Sequence, residues 1–253
     1  MMTMRYNYID SKKRIKGILV DNTEIKKVAS ISSLKDRIHS QNGVVTSITA
    51  IFVNIVDSKK IYDLPDPLLV SKILRSYTSE TLNIINSLDE NSPLETGVMG
   101  DIVYAIFSTP NKAQLYNVVE LAFFINTMTL MLNKILNPII PDILPIKTKI
   151  AVSTGIDTVV NATVSGSDRK DKIIIGESVQ WAREYVKSHE LEGPVILHKT
   201  TYKNVIALLR NNNPETDVDS LFKTVEFKDS IVYETDIRKP VFEKWIKTGM
   251  KEF

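Results

Sequence analysis

The residues that could do chemistry in this chain are few, and several familiar arrangements are absent. Gly100-Asp101 lies between two short apolar runs, where a Gly-Asp pair turns the chain and leaves a carboxylate at a hairpin tip. Hard divalent cations prefer such oxygen ligands. There is no cysteine, which excludes disulfides, thiolate metal sites and thiol nucleophiles. The three histidines, His39, His189 and His198, have no metal-ligand spacing, which argues against a zinc site. No GxxxxGK[ST] phosphate loop occurs, and the glycines of Gly155-Ile156-Asp157 and Ser165-Gly166 are isolated rather than a dinucleotide fingerprint. With 32 basic and 30 acidic residues the net charge is +2, which gives no argument for a nucleic acid or an anionic membrane as partner.

The elements that must position such residues can be read from periodicity. Residues 44–56, VVTSITAIFVNIV, are rich in β-branched side chains and predict a long strand with Ile48, Ala50, Phe52, Asn54 and Val56 on one face. Asp66-Pro67 is an N-cap with proline at the first helical position. Val70, Ile73, Leu74, Tyr77, Ile84, Ile85 and Leu88 then follow at helical spacing. Residues 95–100 and 102–107 predict a hairpin, and 112–136 an apolar helix closed by Pro138, Pro141 and Pro145. Strands are expected over 146–153, 158–164 and 172–175, then a helix launched by Gly176. A short strand, a short helix and a final hairpin over 221–227 and 230–236 complete the chain.

This order predicts an α+β fold: a ferredoxin-like βαββαβ sheet with helices on one face and additional C-terminal strands. Residues 1–40 are polar, with a weak helical stretch near 23–30, and read as an N-terminal arm or extra helix. Residues 41–240 form the main domain and 241–253 a tail. The N-terminus has no apolar core of the signal-peptide kind. The apolar run 118–136 carries Glu120, Asn126, Asn133 and Lys134, so a buried core helix is expected rather than a membrane span, and with it a cytoplasmic protein.

Three segments in this order resemble the class III nucleotidyl cyclases. Phe52-Val53-Asn54-Ile55-Val56-Asp57-Ser58 is similar to that family's F-x-D-I-x-G-[FS]. Residues 98–107, VMGDIVYAIF, are similar to its G-D-x-x-x-A-x-F strand pair. Residues 146–155, IKTKIAVSTG, followed by 174–183, IIGESVQWAR, resemble its strand and I-G-[DE]-x-V-N-x-A helix. Ile31-Ser32-Ser33, Asn42-Gly43 before the first strand, and Ser58 are most like the Pycsar pyrimidine cyclases of anti-phage defence, which make cyclic UMP or cyclic CMP.

The resemblance implies a site and a reaction. A ribose 3′-hydroxyl attacks the α-phosphate of a nucleoside triphosphate and pyrophosphate leaves, assisted by Mg²⁺ or Mn²⁺. Asp101 matches one metal aspartate, Asn54 stands where the other would be, and Ile55 matches the residue that lends its backbone carbonyl. Asp57, three residues on, is a second carboxylate near that position. Gln180 takes the place of a ribose-holding asparagine. Glu184 stands where an arginine would bind the transition state, and Arg183 is one residue early. That shift turns its side chain by about 100° on a helix of 3.6 residues per turn, so Arg183 reads either as a reaching guanidinium or as a solvated face residue. Lys228 matches a lysine for the triphosphate tail. Gly97 and Ile173 occupy the base-reading positions, which argues against an ordinary adenylate cyclase. Val44 and Val45 stand where a uracil-reading tyrosine is expected. The resemblance further implies a homodimer with two shared sites. Two other readings stay open: a degenerate cyclase fold that binds nucleotide or a partner without turnover, and a ferredoxin-like interaction module.

Overall fold

The computed structural model describes residues 7–31, 43–88, 91–140, 144–163 and 170–251. Ser32, Ser33 and Asn42 of the family-like segments lie outside them. The element order is α1 (Tyr8–Val20), β1 (Lys26–Lys27), β2 (Val44–Val56), α2 (Lys59–Tyr62), α3 (Pro67–Ile85), β3 (Glu95–Met99), β4 (Ile102–Ser108) and α4 (Lys112–Ile139). Then come β5 (Lys147–Thr163), β6 (Lys170–Ile175), α5 (Glu177–Lys187), β7 (Val195–His198), α6 (Lys199–Asn212), β8 (Lys223–Phe227), β9 (Ser230–Thr235) and α7 (Pro240–Lys247).

The unit β2-α3-β3-β4-α4-β5 forms the ferredoxin-like sheet, with strand order β3-β4-β2-β5 continued by β7-β9-β8. The long central strand β2 pairs antiparallel with both β4 and β5. Its alternation divides the core. Ile51, Val53 and Ile55 face a layer containing α3 and α4, with Tyr77, Val118 and Phe123. Ala50 and Phe52 face α5 through Ala182, Tyr185 and Val186. Both helices of the βαββαβ unit therefore lie on one face, as expected, and α5, outside that unit, covers the other.

Three segments differ from the sequence expectation. The helix of the N-terminal arm spans Tyr8–Val20, capped by Asn7, whereas the stretch near 23–30 contributes only the short strand β1 beside β2. Residues 146–153 and 158–164 were expected as separate strands, but residues 147–163 run as one strand. Gly155 does not break it, because β2 pairs through that point with Ile48 opposite Gly155. The tail also forms a helix, α7. Helix α4 is the one helix among the described residues long and apolar enough to cross a membrane, and 67% of its most apolar window is buried inside the protein.

Helix α3 starts where the sequence placed it: the Asp66 side chain accepts a bond from the Leu68 N–H at 2.9 Å, and Pro67 opens the first turn. The start of α5 is made differently. Its N-cap, Gly176, has no side chain to cap with. The carboxylate of Asp157, on β5, instead accepts from the Ser178 hydroxyl and from the Glu177 and Ser178 N–H groups. A Cβ on Gly176 would lie 1.9 Å from an Asp157 oxygen. Asp157 is only 2% exposed and cannot swing away into solvent. Gly176→Ala should therefore lower unfolding stability by about 1–3 kcal/mol, measured by urea denaturation; an unchanged midpoint would contradict the close approach.

Candidate functional site

A groove of about 730 Å³ runs along the outer side of α5. Gln180, Arg183, Glu184 and Lys187 line it from the helix, Ile174 and Gly176 from its approach, and Phe227 and Lys228 from the β8–β9 turn. The structure thus brings Gln180, Arg183 and Lys228 to one groove. Helical spacing puts Gln180, Arg183, Glu184 and Lys187 on one side of α5, and the return of β8 places Lys228 opposite. Lys228 has φ 51°, a left-handed conformation at the turn that aims its side chain back toward α5.

The groove's charges are partly spent on each other. Lys228 Nζ bonds Glu184 Oε2 at 2.6 Å, and Gln180 Nε2 donates to Glu184 Oε1 at 3.3 Å. These bonds, Lys228 first and then Gln180, hold the Glu184 carboxyl below its ordinary range. Arg183 is exposed and its side chain makes no hydrogen bond or ion pair among the described residues, so its guanidinium is available to an anion entering the groove.

The residues proposed for metal binding lie at one end of the sheet, where Asp101 directly precedes Ile102, the β4 partner of Asn54. Asp101 is half-buried at the β3–β4 turn, after Gly100 in a left-handed conformation of φ 66°. Its charge acts on Tyr62 and Tyr77, on the α3 side of the sheet; burial first, and then Asp101, raises both phenols. Asn54 faces the other layer, where its Nδ2 donates to the Val186 carbonyl at 3.2 Å and its Oδ1 is buried without a partner. The Ile55 side chain is in the α3–α4 layer at 2% exposure. Asp57, with φ 54°, turns out to solvent and pairs with Lys60 at 2.8 Å, which lowers its pKa. No group of three Asp, Glu or His side chains that could hold an ion occurs among the described residues. Beside Asn54, directly across on β5, stands the ammonium of Lys149. One carboxylate, one amide and a neighbouring cation do not make the charged oxygen set that a pair of divalent ions requires.

The base-reading positions are also occupied in ways the sequence did not disclose. A Cβ on Gly97 would lie 2.5 Å from the ring of Tyr104, its cross-strand partner. That ring stacks on Phe52 at 5.3 Å, and its hydroxyl donates to Glu95 at 2.9 Å. Ile173 is 48% exposed on β6. Val44 is buried against Ile48 and Val159 and does not reach the groove. Sequence reasoning passed over Tyr104, Glu95 and Lys149, because each takes its place from cross-strand register, which no local motif marks.

A second cavity, of about 630 Å³, lies where the N-termini of α5 and α6 meet. Asp157, Ser178, Trp181 and His198 line it. His198 accepts the Thr200 N–H at Nδ1, which leaves Nε2–H to donate to Ser230 Oγ at 3.2 Å. Its ring packs on Trp181 and Tyr185.

Helices on both faces of a β3-β4-β2-β5 sheet, with a groove along α5, define the class III nucleotidyl cyclase fold. A solved adenylyl cyclase, CyaB from P. aeruginosa, matches with a TM-score of 0.58 at 16% identity over 76% of this chain and 94% of that one. No family model matches the chain. A uridylate cyclase of Treponema porcinum is 34% identical over 253 residues, covering 98% of this chain and 83% of that protein. A second, from Gulbenkiania mobilis, is 29% identical over 182 residues, covering 70% and 69%. The chain belongs to the uridylate cyclase family.

The buried imidazole predicts a pH dependence. Burial, and then the charge of Lys199, pushes His198 down from 6.5 to about 4. The folded state therefore favours the neutral ring. Its contribution to stability is complete above pH 6.5 and is lost as pH falls toward 4. Urea denaturation at pH 7 and pH 4.5 should show a smaller loss of stability on acidification for His198→Gln than for the unmodified chain. Equal losses would sink the assignment.

Proposed function

We propose that this chain is a nucleotidyl cyclase that closes a pyrimidine nucleoside triphosphate, UTP or CTP, into its 3′,5′-cyclic monophosphate. The observation that carries the reading is the convergence of Gln180, Arg183 and Lys228 on one groove. The reaction forms a bond from the 3′-oxygen to the α-phosphorus and breaks the bond to the β-phosphate bridging oxygen. The hydroxyl proton is released and pyrophosphate leaves. Negative charge gathers on the phosphoryl oxygens as this happens, and fixed donors aimed there lower the barrier. Arg183 is assigned to those oxygens, Gln180 to the ribose and Lys228 to the leaving phosphates. Mg²⁺ or Mn²⁺ accompanies the triphosphate as its counter-ion.

Two copies of the chain are assigned to the working unit, which acts in the cytoplasm and whose product signals in anti-phage defence. Exposed apolar side chains on β3 and β6, among them Val98, Met99, Ile173 and Ile175, support a face for the second copy. A second reading has a specific observation in its favour: with Asn54 bonded to Val186 and Lys228 to Glu184, the fold could bind a nucleotide or partner without turning it over.

Incubation with each of the four nucleoside triphosphates, with Mg²⁺ and with Mn²⁺, followed by mass spectrometry, separates the two. Cyclic UMP or cyclic CMP is expected, and Arg183→Ala should reduce its formation by about a hundredfold, the scale of losing one preorganised donor. Triphosphate binding by calorimetry without any product would instead establish the second reading.

A further inference from the structure

The face of β2 that carries Asn54 is furnished for the end of a helix. Asn54 and Lys149 are opposed in register on β2 and β5, and both side chains reach the C-terminal end of α5. Asn54 Nδ2 donates to the carbonyl of Val186 at 3.2 Å, and Lys149 Nζ donates to the carbonyl of Ser188. The final carbonyls of an α-helix have no donors within the helix and form the negative end of its dipole. Here the Val186 carbonyl, in the last turn, receives a neutral N–H, and the carbonyl of the C-cap residue Ser188, just past the helix, receives a cation. Lys149 is only 7% exposed, a depth at which lysine is rarely found without such a partner.

An aspartate at position 54 would reverse this fit. It has no hydrogen for Val186, and its charge would face carbonyl oxygens on one side and the Lys149 ammonium on the other. Helix α5 meanwhile carries Gln180 and Arg183 on its outer side. Its opposite side is packed on Ala50, Phe52 and Ala151, so fixing its last turn fixes the rotation of the whole helix.

We propose that Asn54 and Lys149 clamp the C-terminal turn of α5 and thereby position Arg183 and Gln180, with asparagine at 54 a working donor rather than a lost carboxylate. Both are positioning residues. The catalytic part of this inference rests on the reading of the groove as a nucleotide-cyclising site. The two accounts of Asn54 differ in sign: a missing metal ligand predicts that Asn54→Asp raises turnover, and the clamp predicts that it lowers it.

The test compares the unmodified chain with Asn54→Asp, Lys149→Met and Lys149→Arg. Hydrogen exchange is read over residues 184–188, together with kcat and KM for UTP. Asn54→Asp and Lys149→Met should each speed exchange there by about tenfold, and lower kcat by about tenfold with little change in KM. Lys149→Arg, which keeps the cation and its donors, should preserve both. A rise in turnover on Asn54→Asp, or unchanged exchange in both disruptive variants, would overturn the clamp. If the unmodified chain forms no cyclic product, the functional reading fails on its own. Exchange then still decides: acceleration confined to the last turn of α5 supports the clamp, and its absence overturns it.

Discussion

The site depends on how α5 is held against β2 and β5. Small side chains, Ala50, Ala151 and Ala182, let the helix approach the sheet, and Phe52, Tyr185 and Val186 fill the layer around them. Burial of this kind is non-directional: it brings the helix to the sheet without deciding its rotation. The polar groups at the two ends supply direction. Asp157 takes the N–H groups of the first turn, Asn54 takes the Val186 carbonyl of the last, and Lys149 takes the carbonyl of Ser188 just past it. An acid at the positive end and a base at the negative end both complement the helix dipole. Each bond is modest, about 1 kcal/mol in net terms. Together they hold the helix at both ends, and the residues that line the groove inherit that placement.

The two ends carry different electrostatic loads. Burial raises the pKa of Asp157, and its bonds to Ser178 and Glu177 act against that rise. Burial likewise lowers the pKa of Lys149, with the charge of Glu234 opposing it. Both groups sit where desolvation disfavours their charge and the helix terminus favours it, so each is more useful in place than anywhere else on the sheet. The absence of a side chain at Gly176 belongs to the same arrangement, because any Cβ there would displace the Asp157 carboxylate.

The fold was largely legible in the sequence, for physical reasons that differ by element. The β-branched run at 44–56, the Asp66-Pro67 start of α3 and the Gly-Asp hairpin each carry a local signal, and the βαββαβ order follows from them. The N-terminal helix was misplaced. Its apolar residues, Tyr8, Ile9, Ile15, Ile18 and Leu19, are mostly exposed, so no buried stripe marks it, and its start is set by the Asn7 cap. The break expected between two strands near Gly155 does not occur, because pairing with β2 overrides the local preference of one glycine. On the site side, Gln180, Arg183 and Lys228, singled out by motif, line one groove. Lys149 and Tyr104 were not, since their neighbours are 95 and 7 positions away in sequence at Asn54 and Gly97 and only the register joins them.

Asn54 shows why a motif position is not a function. A substitution of amide for carboxylate reads, along the chain alone, as a loss of charge. In the folded protein the same position stands opposite Lys149 and beneath a helix C-terminus. A helix end already presents carbonyl oxygens, so the group facing it must donate, and an amide can do so where a carboxylate cannot. The charge of Asp101, in the β3–β4 turn, adds to burial in raising the Tyr62 and Tyr77 phenols. Asp101 directly precedes Ile102, the β4 partner of Asn54 in register, so the two positions lie close together at one end of the sheet. Strand alternation turns Asn54 toward α5 and Ile55 toward α3 and α4, and it sets what each residue can contact before any chemistry begins.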